Sequence, residues 1–145
     1  MPETSQVNIL LVEDDQIDVR FIKKTFQSHR ITNPIYVASD GIEALEILRG
    51  EGGREPLARP YLILLDINMP RMNGIQFLQE LRGDPRLSNS IVFVLTTSAH
   101  DQDKESAYAH NVAGYLLKSG IGGDFMNAIR MLENFLVSIQ FPSEQ

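Results

Sequence analysis

Five short, largely apolar segments, each followed by polar residues, constrain the fold of this chain more than any other feature. The segments are Val7–Glu13, Pro34–Ala38, Tyr61–Asp66, Ile91–Leu95 and Ala113–Leu117. Short apolar runs of this kind are typical of strands that are buried on both faces of a sheet. They predict five β-strands.

Amphipathic helical patterns occupy the intervals between these strands. From Gln16 to about Arg30, apolar residues recur at helical spacing, with Asp14 or Asp15 as the N-cap. Asp40 precedes a second helix, and Glu43 stands at the capping-box spacing from it. Further helices are predicted from the turn containing Gly74 through Leu81, over Asp101–His110, and for about 15 residues from Asp124.

Alternating strands and helices require crossover connections, because parallel strands cannot be joined by a hairpin. The sequence therefore predicts an α/β protein with a doubly wound, five-stranded parallel sheet. A length of 145 residues favours one domain, and we expect residues 1–145 to form it, with a core of about 7–138.

Composition excludes several classes of function. The chain has no cysteine, so disulfides, thiolate metal sites and cysteine nucleophiles are absent. A net charge of −6 argues against nucleic-acid binding. The sequence has no apolar run long enough to span a membrane and no signal segment at the N-terminus, and we expect a cytoplasmic protein.

The side chains that could bind a ligand or take part in a reaction stand at the strand ends. Glu13, Asp14 and Asp15 at the end of the first strand would meet Asp66 at one edge of a parallel sheet, together with Lys118 and the hydroxyls of residues 96–98. Two carboxylates repel by about 4 kcal/mol at 4 Å and an effective dielectric near 20. A cation is therefore expected among them, and an all-oxygen site suits Mg²⁺ better than Zn²⁺.

Asp66 is the candidate nucleophile, because it is the single acid at the end of a central strand and a carboxylate can form an aspartyl phosphate. Glu13 and Asp14 would then hold the metal, while Lys118 adds a fixed positive charge. Together these residues predict a site for a phosphoryl group.

Four motifs in this order, LLVEDD, LLDINMPRMNG, VLTTSA and GYLLKS, resemble the receiver domain of two-component response regulators. The resemblance covers essentially the whole chain and implies the flavodoxin-like receiver fold. It implies that Asp66 is the phospho-acceptor, that Glu13 and Asp14 are the acidic pair, and that the backbone carbonyl of Asn68 completes the metal shell.

The same resemblance assigns three further residues. Thr96 corresponds to the switch hydroxyl, because it lies 22 positions before the lysine, as is usual in the family. Tyr115 corresponds to the switch aromatic residue. Lys118 corresponds to the phosphate-contacting lysine.

Two positions depart from the family pattern. The acidic pair is Glu-Asp rather than Asp-Asp, and Ser119 follows Lys118 where proline is usual. The Lys118–Ser119 peptide bond is either trans, with a reshaped loop, or cis, at a cost of about 2.5–4 kcal/mol. Lys-Ser, LTTS and the long loop Gly50–Pro60 resemble single-domain regulators of phytochrome-type histidine kinases.

The last predicted helix carries apolar residues that fall outside its core stripe. They are Met126, Met131, Val137 and Phe141. Such a surface more often marks an interface, so we predict a symmetric homodimer through this helix. The alternative is that the C-terminal tail covers this surface.

The sequence thus predicts a stand-alone receiver, not an enzyme, that accepts a phosphoryl group on Asp66 from a histidine kinase. No effector domain is expected, so output would pass through protein contacts. A phosphorylation-independent adaptor would keep the same residues and stays open. A small phosphatase with an aspartate nucleophile is less favoured, because it would need a second acid where this chain has Asn68. A flavodoxin-like electron carrier is also less favoured, because the loop after the first strand is acidic and would repel a phosphate group.

Overall fold

All five predicted strands are present in a computed structural model, which describes residues 7–67, 72–96 and 111–117 together with positions 127 and 130. For Thr96 and Leu117 it describes the backbone alone. The strands are β1 (Asn8–Val12), β2 (Ile35–Ala38), β3 (Tyr61–Asp66), β4 (Ile91–Thr96) and β5 (Gly114–Leu117).

Three helices have described boundaries: α1 (Gln16–Ser28), α2 (Gly41–Arg49) and α3 (Gly74–Gly83). Helices α1 and α3 end within two residues of their predicted limits, and α2 begins directly after its predicted cap Asp40. The predicted helix Asp101–His110 lies outside the described residues. Positions 127 and 130 are helical and fall within the predicted last helix.

The sheet is parallel throughout, with the strand order β2-β1-β3-β4-β5. This order confirms the predicted doubly wound sheet and makes β3 the central strand. The chain leaves β1 toward β2 on one side and returns to β3 on the other. Ligands bind at such a reversal, beyond the carboxyl ends of the strands.

Alternate residues of each strand supply two core layers, one on each face of the sheet. In β1, Leu10 and Val12 belong to the layer covered by α2 and α3, whereas Ile9 and Leu11 belong to the layer covered by α1. All four side chains are fully buried. Burial on both faces explains why the strands read as continuous apolar runs.

Side-chain caps fix where the helices begin. Asp15, rather than Asp14, caps α1, with its Oδ1 accepting from the backbone N–H of Ile17 at 2.8 Å. Asp40 caps α2 by accepting from the N–H of Glu43 at 2.8 Å. The Glu43 carboxylate bonds one residue earlier than the capping box predicts, because Ser39 offers it both a backbone N–H at 2.8 Å and a hydroxyl at 3.0 Å.

The apolar residues of α1 divide into two sets. Val19, Ile22 and Phe26 are buried against the sheet. Ile17 and Phe21 are 72% and 47% exposed, so they lie outside the core stripe. Across the described residues, no helix combines the length and the apolar character needed to cross a bilayer.

Glu43 provides a test of this capping arrangement. The Ser39 N–H, with help from the Ser39 hydroxyl and Arg54, lowers the pKa of Glu43 below its ordinary value of 4.5. Its stabilising effect is therefore present above about pH 4.5 and is lost as the pH falls through the lowered value. Glu43→Gln should reduce the free energy of unfolding by roughly 0.5–1 kcal/mol at pH 7.

Urea denaturation from pH 7 to pH 3 measures this effect, and the difference from wild type should shrink toward pH 3. Glu46→Gln, the same substitution three residues later in α2, is the control. A Glu43→Gln difference that stays constant over this pH range would contradict the assignment.

Candidate functional site

The acidic residues predicted at the strand ends come together at the reversal point of the sheet. Asp66 is the last residue of β3, and Glu13 directly follows β1. The parallel register pairs Val12 with Leu65, so the next position on each strand brings Glu13 beside Asp66. Sheet topology, rather than sequence proximity, produces this pairing.

Three carboxylates form one cluster at this edge. Oxygen atoms of Glu13, Asp14 and Asp66 all lie within 4.8 Å of one another. Glu13 is 1% exposed and Asp66 is 9% exposed, whereas Asp14 is open to solvent. The cluster therefore has a buried floor and one exposed side from which a ligand can approach.

Neighbouring backbone groups hold the Glu13 end of the cluster. The Glu13 N–H donates to the carbonyl oxygen of Ala38 at 2.9 Å, which ties it to the end of β2. The Glu13 Oε2 accepts from the Asp15 N–H at 3.3 Å. Because the Asp15 carboxylate caps α1, its role differs from that of the two acids before it.

Gly74 holds the Asp66 end through a close backbone approach. Its N–H donates to the Ile67 carbonyl oxygen at 2.7 Å. A Cβ at this position would lie 2.5 Å from the Ile67 Cα and 2.9 Å from the Asp66 carbonyl oxygen, so only glycine fits. Gly74 therefore serves close backbone packing at this end of the cluster.

Two other predicted site residues lie on the strands β4 and β5. Thr96 follows Leu95, which pairs with Asp66, so its backbone lies at the same edge of the sheet. Tyr115 is half-buried and packs against the core layer formed with α2 and α3. A switch role for Tyr115 stays a prediction.

Several predicted residues lie outside the described part of the chain. These are Asn68, Lys118 with its peptide bond to Ser119, and the interface residues Met126, Met131, Val137 and Phe141.

Sequence reasoning did not single out Gly41 or Met72. The Gly41 N–H donates to the Met72 carbonyl oxygen at 3.3 Å, which connects α2 to the segment before α3. One weak feature of the sequence pointed to Gly41: it is the first residue of a predicted helix, although most other residues form helices more readily than glycine does.

The donor set fits a small, hard divalent cation. All three side chains offer carboxylate oxygens, which Mg²⁺ and Mn²⁺ accept readily. Ligands with bonds of about 2.0–2.1 Å to one ion lie at most about 4 Å apart. Separations up to 4.8 Å therefore suit an ion that reaches some carboxylates directly and others through bound water.

A doubly wound parallel sheet with three carboxylates at its reversal point is the arrangement expected of an α/β receiver protein. The chain belongs to the response regulator receiver domain family, which matches residues 9–130. Members of this family bind a divalent metal in an acidic pocket and are phosphorylated on aspartate by histidine kinases.

Similar proteins include the response regulator Rcp1 of Synechocystis, which is 35% identical over 93% of this chain and 92% of its own length. The structure of the phosphorylated cyanobacterial phytochrome response regulator RcpA is 34% identical, with a TM-score of 0.76, over 96% of this chain and 100% of that one. The Mn²⁺-bound form of Rcp1 is 34% identical, with a TM-score of 0.72 and the same coverage of both chains. Similarity to phytochrome response regulators agrees with the motifs of the sequence.

Repulsion within the cluster predicts that one carboxylate destabilises the metal-free protein. Two carboxylates 4 Å apart repel each other by about 4 kcal/mol at an effective dielectric near 20. Because Asp14 is exposed to water, its repulsion of the other two carboxylates is weaker than this. In a chelator, Asp66→Asn should therefore raise the free energy of unfolding by roughly 1–2 kcal/mol. Adding Mg²⁺ should reduce or reverse the gain, because the ion stabilises wild type more.

Urea denaturation with and without Mg²⁺ measures both effects. Asp18→Asn, in the first turn of α1 and outside the cluster, is the matched control and should show no gain in the chelator. If Asp66→Asn is equal to or less stable than wild type in the chelator, repulsion does not dominate this site.

Proposed function

We propose that this chain is a stand-alone response regulator whose Asp66 accepts a phosphoryl group from the phosphohistidine of a sensor histidine kinase, with Mg²⁺ bound at Glu13, Asp14 and Asp66. In this proposal residues 1–145 act as one receiver domain. Similarity to Rcp1 over nearly the full length of both proteins supports it.

The observation that carries the proposal is the meeting of three carboxylates at the reversal of the sheet. Acids at strand ends often serve only as helix caps. Here the capping of α1 is done by Asp15, and Glu13 and Asp66 lie buried beside an exposed Asp14. A buried acidic cluster is costly without a cation, so a binding role explains it better than a structural one.

In the proposed reaction an Asp66 carboxylate oxygen attacks phosphorus. The new O–P bond forms while the N–P bond to the donor imidazole breaks, and the imidazole leaves with its electron pair and takes a proton from water. Mg²⁺, when bound, neutralises charge on the transferring phosphoryl oxygens. The close packing of Gly74 against the Asp66 backbone holds the nucleophile in place, which is the main requirement of such a transfer.

Further roles follow from the family pattern. We assign Lys118 to the phosphoryl oxygens and the backbone carbonyl of Asn68 to the metal. Thr96 would bond the new phosphoryl group, and Tyr115 would respond by changing its packing. Such a change alters a surface that another protein can read.

The class of kinase and the oligomeric state extend the proposal. Similarity to a phytochrome response regulator supports a phytochrome-type kinase as the donor. The apolar residues of the last helix support a homodimer. The net charge of −6 supports protein partners rather than nucleic acid.

Phosphorylation by a small-molecule donor tests the proposal directly. Wild type incubated with acetyl phosphate and Mg²⁺ should gain the mass of one phosphoryl group, measured on the intact protein. Asp66→Asn should gain none, because an amide cannot form the acyl phosphate. Glu13→Gln and Asp14→Asn should each weaken Mg²⁺ binding by at least about tenfold. Even a residue that contacts a metal only through one of its ligands typically costs about that much affinity when it is replaced.

Asp18→Asn is again the matched control and should label like wild type. Equal labelling of wild type and Asp66→Asn, or a modification that survives hydroxylamine, which cleaves acyl phosphates, would place the phosphoryl group elsewhere. No labelling of wild type by this donor or by a histidine kinase would favour the adaptor.

The homodimer has a separate test. Val137→Glu should lower the sedimentation coefficient from that of a dimer to that of a monomer, because a charge is costly to bury in an apolar interface. An unchanged dimer would contradict an interface at this position.

A further inference from the structure

Residues 38–41 run from the end of β2, beside Glu13, to the start of α2, beside Met72. At one end, the Ala38 carbonyl oxygen accepts from the Glu13 N–H at 2.9 Å. At the other end, the Gly41 N–H donates to the Met72 carbonyl oxygen at 3.3 Å. Only Ser39 and the buried helix cap Asp40 lie between these two attachment points.

From Met72 the connection continues to Asp66. Met72 is two residues before Gly74, whose backbone lies directly against the carbonyl of Asp66 and the Cα of Ile67. A displacement of Met72 is therefore transmitted to Gly74 and to the backbone of the candidate nucleophile. Hydrogen bonds thus join Glu13 to Ala38 and Gly41 to Met72, close packing joins Gly74 to Asp66, and short stretches of backbone link these three contacts.

Gly41 lies so close to Met72 that the space a side chain would need is already filled. A Cβ on Gly41 would lie 2.9 Å from both Cγ and Sδ of Met72 and 3.1 Å from its carbonyl oxygen. The Met72 side chain can rotate away, but its backbone oxygen must also move by a few tenths of an ångström. The backbone angles of Gly41 do not require glycine, so space is the reason for it.

We propose that Gly41 is a positioning residue for the acidic site, since its lack of a side chain sets how closely Met72 approaches and thereby the separation of Glu13 and Asp66. This inference rests on the proposed function, because it assigns Gly41 to metal binding and phosphoryl transfer at that same site. Gly41 itself contacts neither the metal nor the phosphoryl group.

Gly41→Ala tests the proposal against Gly83→Ala. Gly83 is the last residue of α3, and a Cβ there would meet nothing within 4 Å. Gly41→Ala should slow labelling by acetyl phosphate about tenfold and raise the Mg²⁺ dissociation constant in calorimetry, because misplacement by 1 Å costs on the order of 100-fold. Gly83→Ala should match wild type in both.

Rescue distinguishes positioning from a general loss of stability. Met72→Ala removes the two side-chain atoms that a Cβ on residue 41 would meet, so Gly41→Ala/Met72→Ala should recover Mg²⁺ affinity relative to Gly41→Ala alone. Urea midpoints are measured for all variants. A lowered midpoint in Gly41→Ala with an unchanged Mg²⁺ dissociation constant overturns the proposal.

The same experiment separates the two proposals. If wild type is labelled on Asp66 and Gly41→Ala equals Gly83→Ala in Mg²⁺ affinity and labelling, Gly41 has no positioning role while the proposed function stands. If the double variant fails to recover affinity, the contact with Met72 is not the cause and the inference fails. If wild type binds no Mg²⁺ and is not labelled, the proposed function itself is wrong.

Discussion

Mutual repulsion of three carboxylates at the carboxyl edge of the sheet is the constraint on which the rest of this structure depends. The sheet places Glu13 beside Asp66 through its register, and Asp14 completes the cluster. Two of these groups are buried, so water screens them poorly. The stability that tolerates this arrangement comes from strands that bury apolar residues on both faces, such as Leu10 and Leu11 of β1. A cation then turns the unfavourable charge into a binding site.

Close backbone contacts hold the acidic edge in place. Gly74 lies against the backbone of Asp66 and Ile67, and Gly41 lies against Met72. Both are glycines because space, rather than backbone angle, excludes a side chain. Carboxylates that share one ion must be held within a fraction of an ångström, and packed backbone achieves this better than flexible side chains do. The two glycines therefore belong to the site although neither has a functional group.

Other charged residues show how position decides the role of a side chain. Arg82 donates to the carbonyl oxygens of Ser88, Ser90 and Asn111 at 2.7–2.9 Å, and its burial lowers its pKa. The Arg86 N–H, more than the neighbouring guanidinium groups, lowers the pKa of the Asp84 carboxyl. These residues support the turn between α3 and β4. Composition counts Asp84 with the acids of the site, and only its surroundings distinguish it from them.

The sequence alone determined the five strands, the order of strand and helix, and the acids that end β1 and β3, because apolar periodicity and capping are local properties. It also indicated Asp66 as the lone acid of a central strand. Only the tertiary structure decided that Asp14 joins Glu13 and Asp66 in one cluster, that Ile17 and Phe21 face solvent, and that Gly41 meets Met72. Residues 41 and 72 are far apart in the chain, and no local pattern records a contact that arises only when two helices pack on the same face of the sheet.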